Sequence, residues 1–153
     1  MADTGDEAPN AQFVSTGDQA ASIADYRGKK LVLYFYPKDD TSGCTREAQD
    51  FTALLPDFAS AATEVVGISK DSLKAHDKFA GKYDLRHALG SDESGAVCDA
   101  FGVWVEKSMY GRKYMGIERA TFLINTDGCI ARVWRKVKVP GHAAEVLAAA
   151  QSL

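Results

Sequence analysis

Nothing in this chain pairs its cysteines. Cys44, Cys98 and Cys129 are far apart in the sequence and odd in number, with no C-x-x-C and no Cys/His cluster of metal-ligand spacing, so a disulfide scaffold or a zinc site is not expected. Runs of Lys and Arg are also missing. A net charge of −3 gives no electrostatic reason to expect nucleic acid or an anionic membrane as partner. The longest uncharged apolar stretch, 31–37, is far too short to span a bilayer. The start, "MADTGDEAPN", is acidic and polar and lacks the positive, apolar pattern of a secretory signal, so a cytoplasmic location is expected. No period repeats and no segment is of low complexity. At 153 residues, 46% hydrophobic and 25% charged, the composition is that of one globular domain over 1–153.

What is there alternates. After a coil, "QFVST", Gly17-Asp18 and "ASI" predict a short hairpin or edge element. "KLVLYFYP" is aromatic and β-branched without polar alternation, the pattern of a strand buried on both faces. Thr41 or Ser42 can cap a helix through "CTREAQDFTALL", and Pro56 marks a kink or the first turn of a second piece, "PDFASAA". "EVVGIS" reads as a strand, "DSLKAHDKFAGKY" as a helix, "HALGSD" as a short strand and "SGAVCDAFG" as a short helix. The stretch "VWVEKSMYGRKYMGIER" reads as irregular, "ATFLIN", "TDG" and "CIARVWRKV" as an antiparallel hairpin, and "GHAAEVLAAAQSL" as a closing helix. The implied fold class is α/β: a central mixed sheet flanked by helices. In such sheets, chemistry gathers where a strand ends and the next helix begins.

That junction holds "TSGCTREAQDF", residues 41–51. A free thiol is only about 3% thiolate at neutral pH, and the thiolate is the nucleophile. A helix's first turn, with its unpaired N–H groups and positive dipole end, favours the anion, and a nearby arginine would add a full charge. Gly43 leaves room for an approaching group, Thr41 offers a hydroxyl, and Pro37 and Pro56 bracket the segment. Each also has an ordinary structural reading, as turn residue, cap or strand terminator.

Taken together, "YFYPKDDTSGCTREA" resembles the P-x-x-x-T-x-x-C segment of peroxiredoxins, most closely the Q type, also called bacterioferritin comigratory protein. The likeness continues through "GDEAP", "DYRGKKLVLYFYP", "VVGIS", "GSDESGAVCDAFGVWVEK" and "GIERATFLINTDG". It implies a thioredoxin-like fold with an N-terminal hairpin extension, and a thiol peroxidase acting on hydrogen peroxide and organic hydroperoxides. By the resemblance Cys44 is the peroxidatic cysteine, Thr41 hydrogen-bonds peroxide and thiolate, Pro37 shields the sulfur, and Arg119 holds the thiolate and polarises the peroxide. Glu47, one turn along the helix from Cys44, is placed to orient Arg119. Attack on the peroxide would give Cys44 sulfenic acid and water or an alcohol, with no metal or organic cofactor.

The chain departs from the family pattern in one respect that bears on mechanism. Gln49 stands where many members of this type carry a resolving cysteine, and "KFAGKY" has none at the other familiar place. The expected mechanism therefore uses one cysteine, with thioredoxin, glutaredoxin or glutathione as external reductant. Two alternatives stay open: Cys98 or Cys129 as an internal resolver, and a redox sensor or binding module switched by oxidation of Cys44. A thioredoxin-type reductase lacks its second thiol, and a cysteine hydrolase would need one of His76, His87 or His142 as base, none in a recognisable context. A monomer is the default expectation.

Overall fold

The structure is a computed structural model that describes residues 2–153. Its main sheet has seven strands in the order β2-β1-β5-β4-β3-β8-β9: β1 Gln12–Ser15, β2 Gln19–Ser22, β3 Lys30–Phe35, β4 Thr63–Ser69, β5 Ala88–Ser91, β8 Ala120–Ile124 and β9 Ile130–Trp134. Strands β3, β4 and β5 are parallel, while β8 and β9 on one side and β1 and β2 on the other run antiparallel. The helices are α1 Ser42–Ala53, α2 Leu55–Ser60, α3 Leu73–Tyr83, α4 Ala96–Phe101 and α5 His142–Ser152. The mixed sheet and N-terminal hairpin expected from sequence are both present.

Side-chain alternation along β3 divides the core. Leu31, Leu33 and Phe35 join one cluster with Val97, Cys98 and Phe101 of α4. Val32, Tyr34 and Tyr36 join the other, with Cys44 and Phe51 of α1, Phe58 of α2, Phe79 of α3 and Val146 of α5. Strand β3 is thus buried on both faces, which is why its sequence shows no polar alternation.

One reading needs correction. Residues 103–119 are not irregular: β6 Trp104–Met109 and β7 Arg112–Ile117 form a separate two-stranded hairpin. Its turn residues Tyr110 and Gly111 take positive φ, at 52° and 77°. That is the geometry of a tight two-residue hairpin turn, but with Tyr rather than Asn or Asp in the first position. The outer half of the hairpin touches little, so its exposed polar and basic residues hid the strand signal. Tyr110 and Tyr114 of this hairpin are both exposed, Tyr110 almost wholly.

Candidate active site

Cys44 is the third residue of α1, directly beyond the carboxyl end of β3. Thr41 is the N-cap, and its carbonyl accepts the N–H of Thr45 at 2.8 Å, so Cys44 lies in the turn whose N–H groups lack intrahelical acceptors. Cys44 is 1% exposed. Arg119 Nη2 donates to it at 3.4 Å, and Nη1 donates to Glu47 Oε1 at 2.7 Å. One guanidinium thus spans both groups, using the fork geometry that lysine lacks. Gly43 makes the approach possible: a Cβ there would lie 3.3 Å from Arg119 Nη2.

The electrostatics follow from burial and this shared cation. Burial works against the charge on Arg119, but Glu47 and Cys44 outweigh it and raise its pKa above the ordinary arginine value. Glu47 is also 1% exposed, and burial lifts its pKa from 4.5 to about 7 against the pull of Arg119. Its second oxygen, Oε2, is buried without a hydrogen-bond partner among the described residues. Tyr34, beneath, is held firmly as a neutral phenol by burial first and then by Glu47 and Cys44. Arg119 enters from the residue before β8, where its carbonyl accepts the N–H of Val137 at 3.0 Å.

Of the residues singled out in the sequence, Cys44, Glu47 and Arg119 come together in direct contact. Thr41 and Pro37 flank them on the connecting loop. The Thr41 hydroxyl does not cap α1; it donates to the Lys38 carbonyl at 2.8 Å, which leaves its lone pairs free to accept. Pro37 is exposed and forms one wall of a groove with Lys70, Trp104, Lys107, Tyr114 and Met115, so the hairpin arches beside the active-site loop.

A buried network under that loop was not anticipated. Asp39 accepts from Tyr36 Oη at 2.6 Å and lies 2.6 Å from His76 Nδ1, whose other ring nitrogen faces the Gly90 carbonyl at 3.0 Å. The Asp39 N–H donates to Asp71, which also accepts from Ser69 Oγ at 2.6 Å. Donor atoms of Asp39, Asp71 and His76 lie within 4.8 Å of one another, the only such group among the described residues, but each is committed to these bonds. The cluster is a strut tying residues 36–39 to β4, α3 and β5. The signal for it was present, since His76 shares the inner face of α3 with Phe79.

The other two thiols are remote. Cys98 lies in the core on the opposite face of the sheet from Cys44, and burial, then Asp92, push its pKa well above the usual thiol value. Cys129 is half-buried at the turn between β8 and β9. Since Phe35 pairs with Ala120 and Leu31 with Ile124, that turn sits at the amino end of β3, a strand length of about 13 Å or more from the Cys44 end.

Comparison with known proteins gives one answer. The AhpC/TSA family model matches residues 4–133. A putative peroxiredoxin bcp of Coxiella burnetii is 49% identical over 145 residues, covering 95% of this chain and 96% of the relative. Peroxiredoxin Bcp of Xanthomonas campestris is 48% identical, covering 97% and 96%. Among solved structures, Xanthomonas campestris Peroxiredoxin Q superposes with a TM-score of 0.89 at 46% identity, over 93% and 90% of the two chains. Peroxidoxin BcpB of Mycobacterium tuberculosis gives 0.88 at 30% identity, over 100% and 99%. With the thioredoxin-like sheet and a cysteine at its strand-to-helix junction, this likeness places the chain in the AhpC/TSA family, as a peroxiredoxin of the Q or bacterioferritin comigratory type, an enzyme that reduces peroxides with a thiol.

Proposed function

We propose that Cys44 is the peroxidatic residue and that turnover follows a one-cysteine course with an external thiol as reductant. The observation that carries the reading is Arg119, which contacts the Cys44 sulfur and Glu47 with the two arms of one guanidinium. The thiolate attacks the terminal peroxide oxygen, the S–O bond forms as the O–O bond breaks, and charge moves onto the leaving oxygen. Arg119 stabilises the anion before attack and the leaving oxygen after it, Glu47 fixes the guanidinium, and Pro37 restricts access to the sulfur. Thr41 accepts from the peroxide O–H, a role that suits a hydroxyl whose own proton is already donated to Lys38.

The one-cysteine course is supported by Gln49, by Cys98 on the far face and by Cys129 at the far end of the sheet. Thioredoxin, glutaredoxin and glutathione are the reductant classes to test. Organic hydroperoxides join hydrogen peroxide as substrates in this reading, in keeping with the alkyl peroxide reduction described for the Xanthomonas campestris bacterioferritin comigratory protein.

The test is one equivalent of hydrogen peroxide added to reduced protein with a sulfenic-acid trap present, followed by non-reducing peptide mapping. Trapped sulfenic acid on Cys44 without a disulfide is expected. A Cys44 disulfide to Cys98 or Cys129 would replace the one-cysteine course with an internal resolver. Consumption of a single peroxide equivalent with every thiol offered would favour a sensor.

A further inference from the structure

We infer that Cys44 and Glu47 hold one proton between them, which Glu47 keeps while the sulfur is a thiolate and releases when the sulfur is oxidised. The inference rests on Cys44 being the peroxidatic residue. It goes beyond the orienting role of Glu47, because it assigns the source of the proton that the leaving oxygen needs.

The geometry sets two anions against one cation. Arg119 donates to Cys44 Sγ and Glu47 Oε1, and both acidic groups are 1% exposed, so water screens neither. Glu47 Oε2 is buried with no partner. An ionised carboxylate leaves a charged oxygen bare there, whereas a protonated one leaves only a neutral hydroxyl, the smaller desolvation cost.

Among the described residues the surroundings supply no second cation in contact. From β3, Tyr34 stays a neutral phenol. From α5, His142 is pulled down to about 4 by burial and is neutral near pH 7. On α1 itself, Asp50 is a further negative charge that disfavours the Glu47 carboxylate. Lys107 of the hairpin feels Cys44 and Arg119, and its charge is itself disfavoured by burial. Two negative charges that share a site and one countercharge disfavour each other. Burial has already brought Glu47 to about 7, and by the repulsion of like charges a thiolate across Arg119 acts in the same direction.

The step balances. Cys44 thiolate, ROOH and the Glu47 carboxylic acid become Cys44 sulfenic acid, ROH and the Glu47 carboxylate: sulfur is oxidised by two electrons, the peroxide bond is reduced, and one proton moves from the carboxyl to the leaving oxygen. Sulfenic acid is neutral, so Arg119 then serves Glu47 alone and the carboxylate is favoured. Glu47 does not touch the sulfur and acts through Arg119 and the shared charge.

Single-turnover mixing of reduced protein with one equivalent of hydrogen peroxide, in weak buffer with a pH indicator, reads the proton directly. Glu47→Gln keeps an oxygen for Arg119 Nη1 and should take one proton from solvent per peroxide. Unmodified protein should take up about half of that near pH 7 and approach one proton only about a unit or more higher. Superimposable uptake curves for the two proteins would overturn the inference. Should Glu47→Gln not fold, the infrared difference spectrum of the unmodified protein answers the same question. Loss of a protonated-carboxyl band on oxidation is expected, and its absence overturns the idea. Sulfenic acid on Cys44 is quantified in the same samples: its absence sinks the peroxidatic assignment, while its presence with full proton uptake from solvent sinks only the proton assignment.

Discussion

At the scale of single residues, the site depends on a planar cation reaching two acids at once. Arg119→Lys keeps the charge but loses the fork, so kcat/KM for hydrogen peroxide should fall by about 100-fold or more. Retention within a few-fold would mean that charge alone suffices. Glu47 also leaves a mark on stability. Its pKa is raised on folding from 4.5 to about 7, so the native state holds the proton more tightly than the unfolded chain. Its contribution is therefore full below pH 4.5 and is lost as pH rises through 7. The unfolding free energy of unmodified protein relative to Glu47→Gln should decline across that window in urea titrations; a constant difference would contradict it.

At the scale of elements, the loop that carries Pro37 and Thr41 is held from below by the Asp39–His76 strut. His76→Phe removes the contacts to Asp39 and the Gly90 carbonyl and strands a buried carboxylate, which should cost about 3 to 5 kcal/mol. Denaturant melting checks this, and a loss under about 1 kcal/mol would show that Tyr36 and the Asp71 contact hold the loop unaided. The packing of α1 on the sheet makes a second demand. Tyr34 stacks on Phe51 at 4.6 Å between ring centroids, and Gly67 on β4 leaves the space for that tyrosine: a Cβ there would lie 2.6 Å from its Cζ. Gly67→Ala should therefore displace Tyr34 and destabilise the protein by about 1 to 3 kcal/mol.

At the scale of the whole molecule, the sheet itself separates the thiols. Cys98 lies across a layer of packed strands from Cys44, and Cys129 lies at the other end of β3. Cys98→Ser and Cys129→Ser should each keep steady-state peroxide turnover with the working external thiol, measured by thiol consumption. Loss in either would place a resolver inside the chain. Buried histidines set the acid limit of the fold. His87, bonded to Tyr34 Oη at 2.7 Å and Thr52 Oγ1 at 3.0 Å, and His142, bonded to Thr121 Oγ1 at 2.8 Å, are both lowered from 6.5 to about 4, chiefly by burial. Both stay neutral in the native state, so their contribution is full above 6.5 and lost as pH falls through 4.

Much of this protein is legible in one dimension. The doubly buried β3, the helix that follows it and the cysteine at their junction are local features, because apolar runs, caps and turn residues act over a few positions. The family likeness rests on segments in order along the chain, and it named Arg119, 75 positions along the chain from Cys44. Local patterns failed for β6 and β7, whose pairing to each other outweighs their polar, weakly buried sequences. Nor could they show that Thr41 gives its proton to Lys38, that His76 anchors the loop, or that Glu47 Oε2 is left bare. Those facts are set by which atoms meet after the sheet closes and by how far water is excluded there. Burial and long-range contact are properties of the packed molecule, so tertiary structure alone decided which groups share Arg119 and how far Cys44 lies from the other thiols.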